Sequence, residues 1–337
     1  MSLSTLEADL TVAPPAEPGH ADVRPDLQRT LAVERGLTVG GQAIIEGVMM
    51  RGPDQVAMAA RRPDGSIALR VDPLPSWSGR LARVPLVRGV AALAESVYVG
   101  VGALQWSASI ADPRQRSRRV TAGSLVMAAG AMFAAFVVFT AVPAVIAAWT
   151  IPLVGPLGRT AAEGLLGVAM LVAYIAMIRH HPMVLRTFGY HGAEHKAIAA
   201  YESDGPLHAL AASAFTTRHE RCGTTFMLDV AVLSALIHIV TNTVWPSGPL
   251  MIAARVIAIP LVAGIAYEVL RATARHPGRA FTRVLTKPGM MLQAMTTDEP
   301  GLDQLEVAVV ALRAAVPDVA LPDAALPGAA FTPSAGV

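Results

Sequence analysis

Long apolar runs broken by short polar turns dominate the chain. An α-helix rises about 1.5 Å per residue, so about 20 apolar residues cross a bilayer. Four stretches reach that length: Val120 to Ile151, Thr160 to Ile178, Phe226 to Trp245 and Leu250 to Leu270. The first carries no charge and is too long for one straight span; Pro143 and Pro152 predict a kink or an interfacial end. The polar exceptions are Glu163 in the second, Asp229 and His238 in the third, and Arg255 and Glu268 in the fourth. Such groups are costly in lipid, so His238 is expected to face the bundle. Buried core helices of a soluble protein are the competing reading, and four such runs joined by Pro/Gly turns argue against it.

The polar segments set the expected topology. Arg114, Arg116, Arg118 and Arg119 precede the first span. Arg179, Arg186, Lys196, Arg218 and Arg221 lie between the second and third, and Arg271, Arg275, Arg279, Arg283 and Lys287 follow the fourth. The other two connections hold only Arg159 between them. Basic residues favour the cytoplasmic side. This predicts a multi-pass protein of the plasma (inner) membrane with both termini and the long middle segment in the cytoplasm.

Outside the spans, Gln55–Arg62 and Ser66–Val71 suit short strands around a Pro63-Asp64-Gly65 turn. The glycines from Gly40 to Gly52 suggest a backbone that turns or approaches something closely. Residues 80–110 read as a helix, packed on the β-region or lying on the membrane with Arg80, Arg83 and Arg88 at the headgroups. Apolar residues at 302, 305, 309 and 312 predict a helix that Pro317 ends. The expected fold is membrane α-helical, with about four transmembrane helices and a small cytoplasmic α+β portion. Its parts are a disordered leader (1–36), a β-rich segment with an amphipathic helix (37–115), helices one and two (116–178), a cytoplasmic motif loop (179–225), helices three and four (226–270), a cytoplasmic C-terminal segment (271–316) and a disordered tail (317–337).

Composition agrees. Of 337 residues, 53% are hydrophobic and 15% charged, against about 25% charged in soluble domains. An ordinary soluble enzyme and a disordered chain are both excluded. A net charge of +2 gives no nucleic-acid signature. The single cysteine, Cys222, excludes an intramolecular disulfide and a thiolate-rich zinc site, and suits a reducing compartment.

One constellation could carry chemistry. In the middle segment, His191, Glu194 and His195 stand at i, i+3 and i+4, and a helix would put them on one face with Ile198 and Glu202. Two histidines one turn apart can hold one divalent cation, zinc first among candidates, and an adjacent carboxylate can take a proton from the water it activates. His-x-x-Glu-His is the pattern of the inverted zincins, metal-dependent hydrolases. Those need a third ligand, for which Glu202, His219 and Cys222 are candidates. Solvated helix histidines and a structural thiol are the bland alternatives. Asp229, Glu268 and Glu46 could also approach this segment. Arg221 to Thr225 could suit an anion, though plain helix capping by Thr224 or Thr225 accounts for them too.

At these residues the chain resembles the YqhQ-like family of bacterial membrane proteins (domain of unknown function 1385), described as predicted metal-dependent enzymes. The matching stretches are Gly40 to Arg51, Arg88-Gly89 with Glu95-Ser96, Tyr190 to Lys196 with Tyr201-Glu202, Arg221 to Thr224, Gly264 to Glu268, Pro288 to Gln293 with Thr296-Thr297, and Glu306 to Ala308. Glu220 stands where the family usually has proline. The resemblance implies a membrane protein whose motifs assemble into one site at the inner face. It supplies no substrate.

Two functions follow as expectations. The first is a metal-dependent hydrolase at the cytoplasmic membrane face, with His191 and His195 as ligands, Glu202, His219 or Cys222 as the third, Glu194 as general base, and a lipid or peptide as substrate. The second is a non-enzymatic factor in membrane-protein biogenesis or assembly, the cluster being a structural metal or polar knot. A transporter lined by Asp229, His238, Arg255 and Glu268 has less support, four spans being few for a path.

Overall fold

The computed structural model describes residues 39–75, 81, 83–112, 114, 120–150, 155–203, 205–219, 222–244, 249–276, 279–316 and 329–331. Four strands form an antiparallel meander: β1 (Gly40–Ile44), β2 (Gly47–Arg51), β3 (Gln55–Arg61) and β4 (Ile67–Pro73). The β3–β4 turn closes because the Asp64 carboxylate accepts from the Ser66 N–H (2.9 Å) and hydroxyl (2.7 Å), and Gly65 supplies φ 87°. A fifth strand, β5 (Ala329–Phe331), pairs in parallel with β4. The tail expected to be disordered thus contributes a strand. Without it β4 would be a sheet edge, whose open N–H and C=O groups template pairing. The rest of that tail and the leader lie outside the described residues, as do Pro152, Glu220 and Arg221.

Nine helices are described: α1 (Val87–Ala111), α2 (Ala122–Thr150), α3 (Gly155–Ile178), α4 (Pro182–Glu202), α5 (Ala209–Ser213), α6 (Gly223–Val244), α7 (Pro249–Arg275), α8 (Ala280–Thr296) and α9 (Leu302–Ala315). The sheet is covered on both faces, so the inner strands are apolar on both sides between their ends, Val48 to Met50 in β2 and Val56 to Ala60 in β3. Val48, Met50, Ala57, Ala59 and Ile67 pack against α4 and α9. Met49, Val56, Met58, Ala60 and Ala68 pack against Ala103 and Trp106 of α1. In α9, Leu305, Val309 and Leu312 are buried while Leu302 is exposed, because it opens the first turn.

Among the described residues, five helices rather than the expected four are long and apolar enough to cross a membrane: α1, α2, α3, α6 and α7. The fifth, α1, serves two environments. Its second half lies under the sheet, and its first half packs on α7, where Gly89 meets the Tyr267 ring. Arg88 forms a bidentate pair with Glu268, its Nε 2.7 Å from Oε1. Arg88 therefore does not reach for headgroups, and Glu268 does not face the motif segment. The bundle continues α2–α3–α6–α7, with α8 laid across α6. Apolar side chains such as Val126, Leu165 and Ile257 point outward, as expected of a surface solvated by lipid. Three of the polar exceptions meet inside the bundle: Glu163 Oε1 lies 2.9 Å from Arg255 Nη1 and 3.4 Å from His238 Nδ1, joining α3, α7 and α6.

Candidate metal centre

Helix α4 starts at Pro182, in the first turn, where a missing N–H costs nothing. Its unbroken period puts His191, Glu194, His195, Ile198 and Glu202 on one face. That face is buried, with Glu194 4% and His195 1% exposed. Buried ionisable groups of this density require partners.

Both imidazoles are fixed by main-chain carbonyls. His191 Nδ1 lies 2.8 Å from the Thr296 oxygen and His195 Nδ1 2.5 Å from the Thr217 oxygen. A carbonyl only accepts, so each neutral ring carries its proton on Nδ1 and presents a bare Nε2. His191 Nε2 sits 3.1 Å from Cys222 Sγ, and the buried His195 Nε2 has no hydrogen-bond partner among the described residues. One ligand atom from each of His191, His195 and Cys222 falls within 4.8 Å of the others. A tetrahedral ion with bonds of about 2.0–2.3 Å spaces its donors by roughly 3.5 Å, so the three side chains fit such an ion. Anchoring of the remote ring nitrogen is also the usual support of a metal-ligating histidine.

Cys222 stands just before α6, its sulfur 3.5 Å from the Thr224 amide and 3.3 Å from the Thr224 hydroxyl. Thr224 and Thr225 are engaged within the protein, Thr225 by Gln293, and Arg221 lies outside the described residues. Burial lowers the His195 pKa below the ordinary imidazole value, opposed by the neighbouring Cys222 sulfur. Burial raises the Glu194 pKa, offset in part by His191 and His219. Glu194 accepts from the Gly41 amide, and its buried Oε2 has no hydrogen-bond partner among the described residues. Gly41 is needed at that contact: a Cβ there would lie 2.6 Å from the Met49 oxygen and 3.0 Å from Glu194 Oε1.

The remaining candidates form an adjoining pair. His219 Nε2 is 3.6 Å from Glu202 Oε2, both groups buried, and the His219 ring lies 5.6 Å from that of His195. Gln293 of α8 brackets His219, accepting from its amide (3.0 Å) and donating to its carbonyl (2.6 Å) and to the Thr225 hydroxyl (3.2 Å). The segment after α8 crosses α4 as a strap. The Asp298 amide donates to the Phe188 oxygen (3.0 Å), Lys196 binds Glu299 and the Ser213 oxygen, and a Cβ at Gly192 would lie 2.1 Å from the Asp298 oxygen. Glu46 is elsewhere. It turns the β1–β2 hairpin at φ 53° and binds Arg186 at 2.6 and 2.7 Å. Arg186 in turn lies over the Tyr190 ring, and burial pushes the Tyr190 hydroxyl up to about 12.

Sequence reasoning missed the carbonyls of Thr217 and Thr296, which carry no residue-type signal. It also left Gln293 without a role, although Pro288 to Gln293 is among the stretches that carry the resemblance.

A helical bundle joined to a two-sided sheet, with a His/His/Cys cluster (His195 and Cys222 buried, His191 half-buried) at their junction, defines a multi-pass membrane protein with a candidate cation site. Residues 84–318 match the family described as "Protein of unknown function (DUF1385)", and the chain belongs to that family. It is 32% identical to "Uncharacterized protein YqhQ" of Bacillus subtilis (strain 168) over 290 residues, 80% of this chain and 89% of the relative. No solved structure matches it.

Proposed function

We propose that this protein is a hydrolase dependent on one divalent cation, zinc first among candidates, acting at the cytoplasmic face of the inner membrane on a lipid headgroup or a peptide. The carrying observation is the pair of inward-facing Nε2 atoms beside Cys222 Sγ, each ring locked by a carbonyl. Three protein donors are the complement of a catalytic site, which keeps a position open. When bound, such an ion supplies the Lewis acidity that activates water. Glu194 would take the water's proton at its buried Oε2 and pass it to the leaving group, its raised pKa suiting that role. Glu202 and His219 form the polar wall beside the centre. The basic segments flanking α2, α3, α6 and α7 support the cytoplasmic placement of the centre and of both termini, with α1 held against the sheet and α7 rather than crossing.

A second reading has one observation in its favour. The His219 ring, 5.6 Å from that of His195, could supply a fourth ligand and close the sphere, leaving a structural ion in a biogenesis or assembly factor. Elemental analysis of the detergent-purified protein tests both. One equivalent of metal, lost in His191→Ala and His195→Ala, is expected. Vesicles of phosphatidylglycerol and phosphatidylethanolamine, and casein, serve as substrate probes. Glu194→Gln should keep the metal and abolish release of headgroups or peptides. Equal turnover by Glu194→Gln would reject the base, and loss of metal in His219→Ala without any turnover in the parent would favour the closed site.

A further inference from the structure

Helix α8 is polarised the wrong way for a helix in water. The face it packs against the protein carries Thr282, Thr286, Gly289, Leu292, Gln293 and Thr296. Its exposed side carries Phe281, Val284, Leu285 and Met291, with Val284 72% and Met291 68% exposed. At about 100° per residue these residues form one stripe some 120° wide, adjoining the packed face. Arg279, Arg283 and Lys287, all exposed, make a separate stripe on the remaining side.

Position says what covers the apolar stripe. Gly289 lies against Thr225 in the first turn of α6, and Leu292 packs with Leu228 of α6 and Ile175 of α3. The helix is thus fixed to the ends of two spans, just after a third. It cannot itself be a span: 17 residues reach only about 25 Å, with Arg283, Lys287 and Pro288 in the middle. An apolar stripe beside a basic one at the end of a bundle is the pattern of a helix lying in the plane of an anionic leaflet. We propose that α8 binds anionic lipid in this way, its apolar stripe in the acyl boundary and its basic stripe at the phosphates. Gln293 and the Thr296 carbonyl, on the same helix, touch His219 and His191. The cation centre is therefore held at headgroup depth, where a lipid-borne group can reach it.

The experiment uses the full chain in phosphatidylcholine/phosphatidylglycerol vesicles. Dansylalanine replaces Val284, Met291 or Lys287 in turn, all exposed positions where packing is undisturbed. Emission at 284 and 291 should be blue-shifted and quenched more by lipid spin-labelled at carbon 5 than at carbon 12, while 287 stays water-like. At equal mole fraction, spin-labelled phosphatidylglycerol should quench position 284 more than spin-labelled phosphatidylcholine, by about fivefold per basic residue at the surface. That excess should vanish in Arg279→Gln/Arg283→Gln/Lys287→Gln. Water-like emission at 284, or a blue shift there without lipid quenching (a second copy or another protein covering the stripe), overturns the proposal. Equal quenching by the two lipids does the same. These readings need neither metal nor turnover, so they stand or fall apart from the hydrolase reading.

Discussion

Gln293 offers the sharpest test of how the centre is built. Its fully buried side chain satisfies three groups: the amide and carbonyl of His219 and the hydroxyl of Thr225. Gln293→Leu preserves the volume, so no large cavity term enters, but it orphans both His219 main-chain groups. Each buried orphan costs about 1–3 kcal/mol, and the Thr225 hydroxyl can rotate to a new partner, so the loss should total about 2–6 kcal/mol. Gln293→Glu separates hydrogen bonding from shape. Its carboxyl keeps the acceptor for the His219 amide and, when protonated, restores a donor. Burial raises the folded-state pKa of such a group above its unfolded value, so its contribution is full below the unfolded value and is lost as pH rises through the folded one. The half-unfolding temperature in one detergent, measured from pH 5 to 8 against the parent at each pH, should show Gln293→Glu recovering on acidification and Gln293→Leu unchanged. A leucine variant within about 0.5 kcal/mol of the parent would refute the idea that Gln293 holds His219 in place.

Three further expectations concern other parts of the molecule. Gly192→Ala should cost about 1–3 kcal/mol by forcing the strap off α4, and it should weaken zinc retention in dialysis because the strap follows the Thr296 carbonyl that anchors His191; unchanged retention would detach the strap from the centre. In chelator-treated protein, Glu194 has a folded pKa raised by burial, so stability from its neutral form is present below the unfolded value and is lost as pH rises through the folded one. Glu194→Gln should therefore gain stability over the parent as pH rises from 5 to 8, and a difference independent of pH would contradict this. In the bundle, Arg255→Met and Glu163→Gln should each destabilise more than half as much as the double variant, giving a coupling of about 1–3 kcal/mol in a thermal-melt cycle; additive losses would mean that the pair is not coupled.

How much was legible depended on how local the code is. Run length revealed the helices α2, α3, α6 and α7, Pro63-Asp64-Gly65 revealed the β3–β4 hairpin, and period alone put His191, Glu194 and His195 on one face. The pairings of Glu46 with Arg186 and of Glu268 with Arg88 were hidden because the partners are 140 and 180 residues apart. For α1, one sequence answers to two surroundings, a sheet face and a bundle, so its apolar pattern points to neither alone. The division of the candidate ligands was equally invisible. Spacing allowed Glu202, His219 or Cys222 as third donor, whereas the fold sets Cys222 beside His191 and pairs Glu202 with His219. That choice is made by Gln293 and the approach of α6, neither of which is near in sequence.

The sheet module also imposes an order on biosynthesis. Strands β1 to β4 leave the ribosome early, yet α9, which seals one of their faces, follows only after all five long apolar helices; Gln55 donates to the Ala314 carbonyl across 259 residues. At about 5–20 residues per second, synthesis leaves that greasy surface open for roughly 10–50 s while the intervening spans are inserted. Nascent chains must therefore shelter a half-finished sandwich beside the translocon, and truncation within α9 should expose it for degradation although every membrane segment is already in place.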